Sequence, residues 1–485
     1  MIADHDFDDY RGRRVLVMGL GSFGGGVGAV KFLVSRGAKV TVTDLRPPEK
    51  LAESLLELQD SPPDRLVLGS HDRHDFLSAD LIVVNPAVKR ESPLLSEAIQ
   101  AGIPTTSEMN LFWKWNRAPV VGITGSNGKS TTTAMIHAIL HQSLRQDSGR
   151  RVWLGGNIGK SLLPDVDQIQ PQDIVVLELS SFQLVDLDRL QVSPHVAVVT
   201  NFAPNHLDWH PDLEHYRQSK QAILRWQTGD DFAVLNEDDV DVAQWPAHGT
   251  RYGFGLKETQ SDGAFWDDLQ QHAVIRAAGV ETLRPVHQWL KLPGRHNLAN
   301  ALAAMAACHA LGTHAADVQR AIEGYRSLPH RLEFISKVAG RRFYNDSLAT
   351  TPESTEVALD AFDAPIVLLA GGYDKHVDLR NMANAVARRA TAVALMGQTA
   401  TMLHKLLAAC ADSHCQVSDP QKSFEQAFQW AWERSAPGDV ILLSPGCASY
   451  DWFRNFADRG EQFRRLVLSL AETDLETPPT SLTSR

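Results

Sequence analysis

The sequence predicts an α/β protein with parallel sheets, built from three α/β units. Short apolar runs recur between helix-like stretches, and apolar strands that alternate with helices are typical of parallel sheets covered on both faces. Three of these runs end in loops rich in glycine or small residues, at Gly19, Gly122 and Gly371, where an open α/β sheet presents its ligand sites. The predicted strands are Arg14–Met18, Lys39–Thr43, Leu81–Val84, Val120–Ile123, Ile174–Leu177, Val196–Thr200, Ile366–Leu369, Val393–Met396 and Val440–Leu443.

The length also predicts several domains, because 485 residues is about three times the ~150 residues of a usual domain. Helical pattern gives way to proline and turn residues at two places, Asn116–Pro119 and Ser327–His330. We place the domain boundaries there, which gives the ranges 1–117, 118–327 and 328–485.

Composition disfavours several classes of function. Asp and Glu outnumber Lys and Arg by 58 to 47, so the net charge is -11 and the surface field repels nucleic acids and anionic lipids. The N-terminus is acidic where a signal peptide needs basic residues, and no apolar run reaches the ~18 residues of a membrane span. We therefore expect no nucleic-acid partner and no membrane insertion. The four cysteines form no CxxC pair, which fits a reducing cytoplasm: Cys308, Cys410, Cys415 and Cys447.

The strongest motif is GITGSNGKS, from Gly122 to Ser130, between a predicted strand and a predicted helix. Glycines let backbone N–H groups converge on phosphate oxygens, Lys129 can reach the terminal phosphates, and the Ser130 hydroxyl can bind Mg2+. Gly122 stands six residues before Gly128, whereas a strict P-loop has five, so the motif is a variant. An ordinary glycine-rich turn is the alternative.

A second glycine motif, GLGSFG from Gly19 to Gly24, follows the first predicted strand, and Asp44 follows the next one. Read alone, this is a dinucleotide fingerprint with a ribose-binding acid. The motif requires only a diphosphate near a helix N-terminus and a sugar near a carboxylate, so a UDP-sugar satisfies it as well as NAD does. A purely structural turn is the third alternative.

Polar residues follow two further strands of the middle range, Glu178 after the fifth and His206 after the sixth. Because the carboxyl ends of neighbouring parallel strands share one edge of a sheet, both side chains can converge on the phosphates and metal of the P-loop. The alternative is that Glu178 and His206 are ordinary solvent-exposed loop residues with no role in a site. A zinc cluster of His206, His210 and His215 is disfavoured, since Pro211 breaks any common helical face.

Asn297 and Asn300 lie at positions i and i+3 of a predicted Ala-rich helix and share one face near its start. Helix capping explains Asn297 equally well. The last third of the chain holds polar loops that can supply cations and hydroxyls to a carboxylate, although plain turn chemistry explains each of them singly. These loops are His330–Arg331, Asn345–Ser347, Gly371–Lys375 and Ser444–Ser449.

The Mur ligases are the family that the chain resembles, from about Arg13 to Leu470, through motifs in the same order: GITGSNGKST, GGNIG, LELSSFQL, NHLDWHP, YRQSK, LPGRHNLANALAA, LPHRLE, NDSLATTPEST and LLSPGCASYDWFRNF. The resemblance implies a Rossmann-like N-terminal domain for a UDP moiety, a central P-loop parallel-sheet ATPase domain and a Rossmann-like C-terminal domain that receives the amino acid. Within the family, GLGSFG is similar to the members that add L-alanine or D-glutamate, and LELSSFQL and SPGCASYDWFRNF resemble those that add D-glutamate.

The resemblance implies an ATP-dependent, ADP-forming ligase that joins D-glutamate to UDP-N-acetylmuramoyl-L-alanine through an acyl phosphate, in peptidoglycan precursor synthesis. Its partners would be these small molecules, and the chain would act as a cytoplasmic monomer. Another ligase of the superfamily, adding L-alanine or glutamylating folate, is the first alternative. An NAD-dependent oxidoreductase and a catalytically silent nucleotide-binding regulator are the others.

The resemblance also assigns a cofactor set of ATP and two Mg2+ ions. The first Mg2+ would be bound by Ser130 and Glu178, and the second by His206 and Lys220, with Lys129, His206 and Lys220 as catalytic residues. Lys220 would be carbamylated, which turns a cation into an anion that can bind Mg2+; the sequence alone favours a surface helix lysine. ATP would be held by Gly125, Ser126, Asn127, Gly128, Lys129, Ser130, Thr131, Asn297, Asn300, Arg331 and Asp346.

Two further residue sets follow from the resemblance. The UDP-sugar would be bound by Ser22, Phe23, Asp44, Arg46 and Asn157. D-glutamate would be bound by Thr350, Lys375, Ser449 and Phe456.

The chain departs from the family pattern in places. Leu348 stands where the family's NDSKAT has lysine, so one cation near the reacting phosphate is missing. Gly446 replaces a familiar alanine, and Asn85-Pro86 replaces Ser-Pro. The segment from Leu256 to Leu290 is irregular, does not align with the family, and is expected to be a peripheral excursion of the middle domain.

Overall fold

The structure is a computed structural model that describes residues 9–21, 24–89, 91–146, 149–206, 209–410 and 414–476. Within these ranges the strands form three sheets, of five, nine and six strands. All three contain parallel strands with helices in the connections, as an α/β chain requires.

The first sheet has the strand order β3-β2-β1-β4-β5 and is parallel throughout. The order reverses between β1 and β4, so the GLGSFG loop after β1 lies at the position where open sheets bind ligands. The elements of this part are β1 (Arg14–Met18), α1 (Gly25–Ser35), β2 (Lys39–Asp44), α2 (Ala52–Glu57), β3 (Arg65–Leu68), α3 (Arg73–Ser78), β4 (Leu81–Val84), α4 (Pro93–Gln100), β5 (Thr105–Thr106) and α5 (Glu108–Trp115).

The second sheet has the order β14-β13-β12-β11-β10-β9-β6-β8-β7. Its strands are parallel from β7 to β12, and β13 and β14 add an antiparallel edge. The elements are β6 (Val120–Thr124), α6 (Lys129–Ser143), β7 (Val152–Gly156), β8 (Ile174–Glu178), α7 (Ser181–Leu190), β9 (Val196–Val199), α8 (Leu213–Arg225), β10 (Phe232–Asn236), β11 (Thr250–Gly255), β12 (Gly263–Asp267), β13 (His272–Ala277), β14 (Val280–Arg284), α9 (Val286–Trp289), α10 (Arg295–Ala310) and α11 (Ala315–Gly324).

The third sheet has the order β15-β16-β20-β17-β18-β19, with β15 antiparallel to β16 and the other pairs parallel. Apolar clusters cover both of its faces. No helix in the described ranges is long and apolar enough to cross a membrane. The elements are β15 (Glu333–Val338), β16 (Arg341–Asn345), α12 (Pro352–Leu359), β17 (Ile366–Ala370), α13 (Arg380–Arg389), β18 (Ala390–Leu395), α14 (Ala400–Ala408), β19 (Gln416–Val417), α15 (Phe424–Arg434), β20 (Val440–Leu443) and α16 (Phe456–Glu476).

The chain divides into two compact units, Met1–Leu290 with Ala299–Gly324 and Lys291–Leu298 with Tyr325–Arg485. The first unit holds the first two sheets, and one apolar cluster contains residues of both, such as Val15 and Val175. The three domain ranges stay a prediction, because this division does not separate those two sheets.

Each of the nine predicted strands is confirmed as a strand or as part of one, and the predicted helix after the P-loop is α6. The segment from Leu256 to Leu290, whose sequence is irregular, contains β12, β13, β14 and α9, and its interpretation as a peripheral excursion of the middle domain stays a prediction. Charged residues lie in all three strands, at Asp267, Arg276 and Glu281, so none of the strands is apolar throughout. Phe265 and Trp266 nevertheless bury their side chains.

The buried carboxyl group of Glu108 should make the stability of the first unit depend on pH. Glu108, in the first turn of α5, is buried and accepts a hydrogen bond from the Ser161 hydroxyl. Burial raises the pKa of Glu108 from 4.5 to about 7, against the opposing effect of that hydrogen bond. Because the folded pKa is raised, its contribution to stability is full below pH 4.5 and is lost as the pH rises through 7.

We therefore expect Glu108→Gln to flatten this pH dependence, by about 3 kcal/mol or less in unfolding free energy. The measurement is denaturant unfolding of both proteins between pH 4.5 and 8, followed by a probe in the first unit. Equal slopes for the two proteins would show that Glu108 keeps an ordinary pKa.

Candidate active site

The P-loop joins β6, which lies between β9 and β8, to helix α6. Gly128 immediately precedes α6 with a φ of 80°, in the left-handed region that favours glycine. A Cβ atom there would lie 2.4 Å from Oδ1 of Asn300, so the loop runs directly against helix α10. Asn300 is buried and its Oδ1 accepts a hydrogen bond from Thr132 Oγ1 at 3.3 Å. The structure therefore brings Asn300 to the P-loop.

Lys129 is the first residue of α6, and its side chain folds back over the loop. Its Nζ donates hydrogen bonds to the carbonyl oxygens of Gly125 at 2.9 Å and Ser126 at 3.0 Å. Ser130 is half-buried and Thr131 is buried in the same helical turn. The first N–H groups of a helix have no carbonyl partner within it, so this turn and the Lys129 ammonium offer donors to an anion.

The middle of the P-loop is fixed by the segment that follows β9. Ser126 Oγ donates to the carbonyl oxygen of Ala203 at 2.8 Å, and the backbone N–H of Asn127 donates to Oδ1 of Asn201 at 2.8 Å. The carbonyl oxygen of Asn127 accepts from Thr200 Oγ1 at 2.5 Å. A loop that is already fixed loses little conformational freedom when it binds a ligand.

Glu178 ends β8, beside the P-loop strand, and 2% of the residue is exposed. Its Oε1 accepts a hydrogen bond from Asn157 Nδ2 at 3.1 Å, so Asn157 and Glu178 lie together. Its Oε2 is buried and has no hydrogen-bond partner among the described residues. A buried oxygen without a partner is costly, and a carboxylate oxygen is a ligand that Mg2+ prefers. The site therefore fits a cation next to Glu178.

Lys220 lies on α8 and is almost fully buried, so the surface position that the sequence alone favours is wrong. Its Nζ donates to the carbonyl oxygen of Gly125 at 2.8 Å, the same oxygen that accepts from Lys129. Burial, and next the charge of Lys129, hold the pKa of Lys220 well below its usual value, against the attraction of Glu178. A neutral amine reacts more readily than an ammonium, so this lysine is suited to covalent modification.

Tyr216 is a member of this site that the sequence analysis missed. Its ring lies 4.8 Å from Lys220 Nζ, and its hydroxyl lies 3.2 Å from Ser126 Oγ. Tyr216 precedes Lys220 by one helical turn, and residues at i and i+4 share a helix face. That spacing in YRQSK is the only sequence signal that could have found it.

His206 is exposed, and its φ of 56° is uncommon for a residue other than glycine. Its ring centroid lies 5.1 Å from that of Phe182 and 6.3 Å from that of Tyr216. His210 is buried, with Nε2 at 2.9 Å from Ser181 Oγ and Nδ1 at 2.8 Å from Nδ1 of His215. No group of three or more His, Cys, Asp or Glu residues suited to a metal occurs in the described ranges.

At the first sheet, Ser22 and Phe23 lie outside the described residues. Asp44 accepts hydrogen bonds from the backbone N–H groups of Leu20 at 3.0 Å and Arg46 at 2.9 Å, and from Arg46 Nη2 at 3.1 Å. Burial would raise the pKa of Asp44, but the hydrogen bonds from Arg46 and Gly21 lower it below its usual value. The Asp44 carboxylate thus holds the backbone at Leu20 and Arg46 in place. Its role as a ribose ligand stays a prediction.

Three residues predicted to bind ATP lie in the second unit. Asn297 is the third residue of α10, and its Nδ2 donates to the carbonyl oxygen of Pro293, which precedes the helix, at 2.7 Å. Arg331 is half-buried. Asp346 is buried and accepts from Leu332 N at 3.1 Å and Ser444 Oγ at 2.8 Å; burial raises its pKa to about 7.

The residues predicted for D-glutamate lie at the carboxyl ends of neighbouring strands of the third sheet. Thr350 follows β16, Ser449 follows β20 and Lys375 follows β17, and the spatial order is β16-β20-β17. Phe456 begins α16. Lys375 is exposed, whereas Ser449 is buried.

Gly446, one of the departures, has a structural reason. Its φ is 68°, and a Cβ atom there would lie 2.4 Å from Sδ of Met382 and 3.0 Å from Oγ1 of Thr355. Asn85, the other departure, donates from Nδ2 to the carbonyl oxygen of Gly19 at 3.2 Å, and this hydrogen bond supports the start of the GLGSFG motif. Nothing in the structure explains Leu348.

Comparisons with protein families match three models along the chain. They are "Mur ligase MurD-like, N-terminal domain" at residues 13–107, "Mur ligase middle domain" at 123–308 and "Mur ligase, glutamate ligase domain" at 330–447. Among curated relatives, the UDP-N-acetylmuramoylalanine-D-glutamate ligase of Roseiflexus sp. is 39% identical over 475 residues, covering 94% of this chain and 99% of the relative. That of Symbiobacterium thermophilum is 38% identical, covering 94% and 98%.

Solved structures show the same fold at low sequence identity. The UDP-N-acetylmuramate-alanine ligase MurC of Thermotoga maritima aligns with a TM-score of 0.59 and 19% identity, over 94% of this chain and 99% of that chain. A pseudomurein peptide ligase type C from Methanothermus fervidus aligns with a TM-score of 0.56 and 19% identity, over 94% and 100%. At this identity the similarity concerns the fold alone.

Proposed function

The chain belongs to the Mur ligase family, and from this premise we propose that it joins D-glutamate to UDP-N-acetylmuramoyl-L-alanine with cleavage of ATP to ADP and phosphate. The enzyme is an ATP-dependent, amide-forming ligase of peptidoglycan precursor synthesis. The observation that carries this function is the similarity to D-glutamate ligases over nearly the full length of both chains.

ATP and Mg2+ are the cofactors of this family. We propose that ATP phosphates bind the turn from Gly125 to Thr131, where the Lys129 ammonium lies over the loop. Bound Mg2+ would neutralise phosphate charge there. The unpartnered Oε2 of Glu178 supports a first ion bound by Ser130 and Glu178, and we assign a second ion to His206 and Lys220.

The second ion requires Lys220 to be an anion, and we propose that it is carbamylated. In that reaction the neutral Nζ attacks the carbon of CO2, an N–C bond forms and one proton leaves the nitrogen. Burial and the nearby charge of Lys129 favour the neutral amine that this step needs. The carbamate would also remove the repulsion between the two lysines at Gly125.

The reaction has two chemical steps. The alanyl carboxylate of the UDP-sugar attacks the γ-phosphorus of ATP, the bond from that phosphorus to the β–γ bridging oxygen breaks, and ADP leaves as the acyl phosphate forms. The D-glutamate amine then attacks the acyl carbon, phosphate leaves, and the nitrogen loses a proton to give the amide. Both partners of the first step are anions, so cationic groups such as Lys129 must lower their repulsion in the transition state.

The remaining residues have proposed roles in binding. Asn300 lies at the P-loop and would contact the nucleotide together with Asn297, Arg331 and Asp346. Thr350, Lys375, Ser449 and Phe456 would hold D-glutamate, with the exposed Lys375 ammonium able to pair with a carboxylate. The UDP-sugar would contact Ser22, Phe23, Asp44, Arg46 and Asn157, and Asp44 also accepts hydrogen bonds from the backbone of Leu20 and Arg46.

A phosphate-release assay tests the function. With ATP, Mg2+ and UDP-N-acetylmuramoyl-L-alanine, we expect release to depend on D-glutamate, because the acyl phosphate turns over only when an amine displaces phosphate. L-alanine, L-glutamate and meso-diaminopimelate should support little release. Preference for another amino acid, or for a folate acceptor, would assign the chain to a different ligase of the superfamily, and release without any amino acid would contradict coupled ligation.

We also propose that the chain acts as a monomer in the cytoplasm. The cysteines are all free thiols, which fits a reducing compartment. Analytical ultracentrifugation during turnover tests the first point, and a monomer mass is expected. Cell fractionation tests the second, and recovery with the membrane fraction would contradict it.

A further inference from the structure

Arg459 is an arginine with no exposed surface, in the first turn of α16 in the second unit. Burying a guanidinium is costly unless its N–H groups all find acceptors. No motif in the sequence marks this residue, and the proposed reaction assigns it no role. Its surroundings therefore need a separate explanation.

The acceptors of Arg459 are backbone carbonyls and one hydroxyl. Nε donates to Ser347 Oγ at 2.9 Å and Nη2 to the carbonyl oxygen of Ser347 at 2.9 Å. Nη1 donates to the carbonyl oxygens of Cys447 at 3.0 Å and Ala448 at 3.3 Å. Within the described ranges Arg459 forms no salt bridge. Burial lowers its pKa to about 10, so the side chain stays charged at neutral pH.

These hydrogen bonds join the segments that carry the proposed D-glutamate residues. Ser347 precedes Thr350 in the loop after β16, and Cys447 and Ala448 precede Ser449 in the loop after β20. The carbonyl oxygen of Ala448 also accepts from Tyr373 N at 2.9 Å, two residues before Lys375. Ser347 Oγ donates to the carbonyl oxygen of Phe456 at 2.8 Å.

Arg459 therefore lies where all four segments meet. Its planar guanidinium donates in two directions at fixed angles, so it sets the spacing between the loop after β16 and the loop after β20. It also places a positive charge behind these loops, with the carboxyl groups of Asp451 and Asp346 near enough to interact with it electrostatically. D-glutamate carries two carboxylates, so this charge has the sign that favours its binding.

We propose that Arg459 is the positioning residue of the amino-acid site, which holds the loops of Thr350, Lys375 and Ser449 in the spacing that binds D-glutamate. The inference rests on the proposed function, because that function assigns these loops to D-glutamate. It predicts a larger effect on the amino acid than on the UDP-sugar, since the GLGSFG motif belongs to the first unit.

The test is Arg459→Lys, which keeps the charge but loses the fork of donors. We expect the KM for D-glutamate to rise about tenfold or more, with the KM for UDP-N-acetylmuramoyl-L-alanine within about twofold of wild type. KM does not depend on the fraction of active protein, so partial misfolding alone would lower the apparent kcat and leave both KM values unchanged. The matched control is Arg464→Lys on the same helix, where Arg464 pairs with Glu333 and Glu461; its D-glutamate KM should not change.

An unchanged D-glutamate KM in folded Arg459→Lys, or an equal rise in both KM values, overturns the inference. If that variant does not fold, Ser347→Ala decides, because it removes one acceptor and the hydrogen bond to Phe456 while keeping the arginine. A rise of a few-fold in its D-glutamate KM is expected, and no rise overturns the inference. Wild-type protein in the same assay separates the two proposals. If it accepts another amino acid, the proposed function fails, and the KM for that amino acid becomes the readout for Arg459.

Discussion

Replacing Lys129 by alanine is expected to lower ATP-dependent ligation by about a thousandfold or more, because the ammonium at the P-loop would no longer offset the charge of the transferring phosphoryl group. The side chain is half-buried and donates to two carbonyl oxygens of its own loop, so its loss should cost only about 1 kcal/mol of stability. The measurement is phosphate release with both substrates present, together with thermal unfolding.

Lys257→Ala is the matched control for this variant. Lys257 is exposed in the same unit, so its removal should leave both activity and unfolding temperature unchanged. Normal turnover of Lys129→Ala would refute the P-loop assignment. A large drop in unfolding temperature would instead show that the lysine is mainly structural.

Replacing Lys220 by alanine is expected to abolish activity in a way that added bicarbonate cannot restore. Alanine has no amine to accept CO2, so the proposed anionic ligand of the second Mg2+ cannot form. A small carboxylic acid such as acetate or propionate can occupy the space left by the side chain and supply the missing carboxylate. We therefore expect partial rescue by millimolar carboxylic acid, measured by phosphate release.

A readout independent of activity accompanies this prediction. Wild-type protein in 13C-bicarbonate should show a carbamate carbon signal by NMR, and Lys220→Ala should lack it. The control is Lys257→Ala, which keeps both lysines of the site and should retain the signal. Full activity of Lys220→Ala, or no carbamate signal in the wild type, would refute the modification.

Features encoded by neighbouring residues could be predicted from the sequence. The P-loop is one example, because its strand, its glycines and the helix that starts at Lys129 are consecutive. Buried strands such as β8 and β17 are continuous apolar runs, and such runs are distinctive. The strands β12 to β14 were missed because each contains charged residues, such as Asp267, Arg276 and Glu281, and none is apolar throughout.

The structural environment of several residues in the candidate site could not be predicted in this way. Lys220 has the sequence context of an exposed helix lysine, yet its amine lies on the carbonyl oxygen of Gly125, from another part of the chain. Tyr216 belongs to the YRQSK motif, but only the packing of α8 shows its contacts with Lys220 and Ser126, and Arg459 lies outside every motif. Asn300 was proposed for ATP from resemblance, but its contact with Gly128 and Thr132 depends on the packing of α10 against the P-loop.

The sequence by itself determined the α/β class, most of the parallel strands and the glycine turns, since these depend on the local order of apolar residues and glycines. Only the tertiary structure decided which ionisable groups share an environment: the two lysines on one carbonyl oxygen, the unpartnered oxygen of Glu178 and the buried guanidinium of Arg459. The physical reason is that desolvation and Coulomb interactions depend on distance in space, and residues far apart in the chain meet only after the sheets and helices have packed.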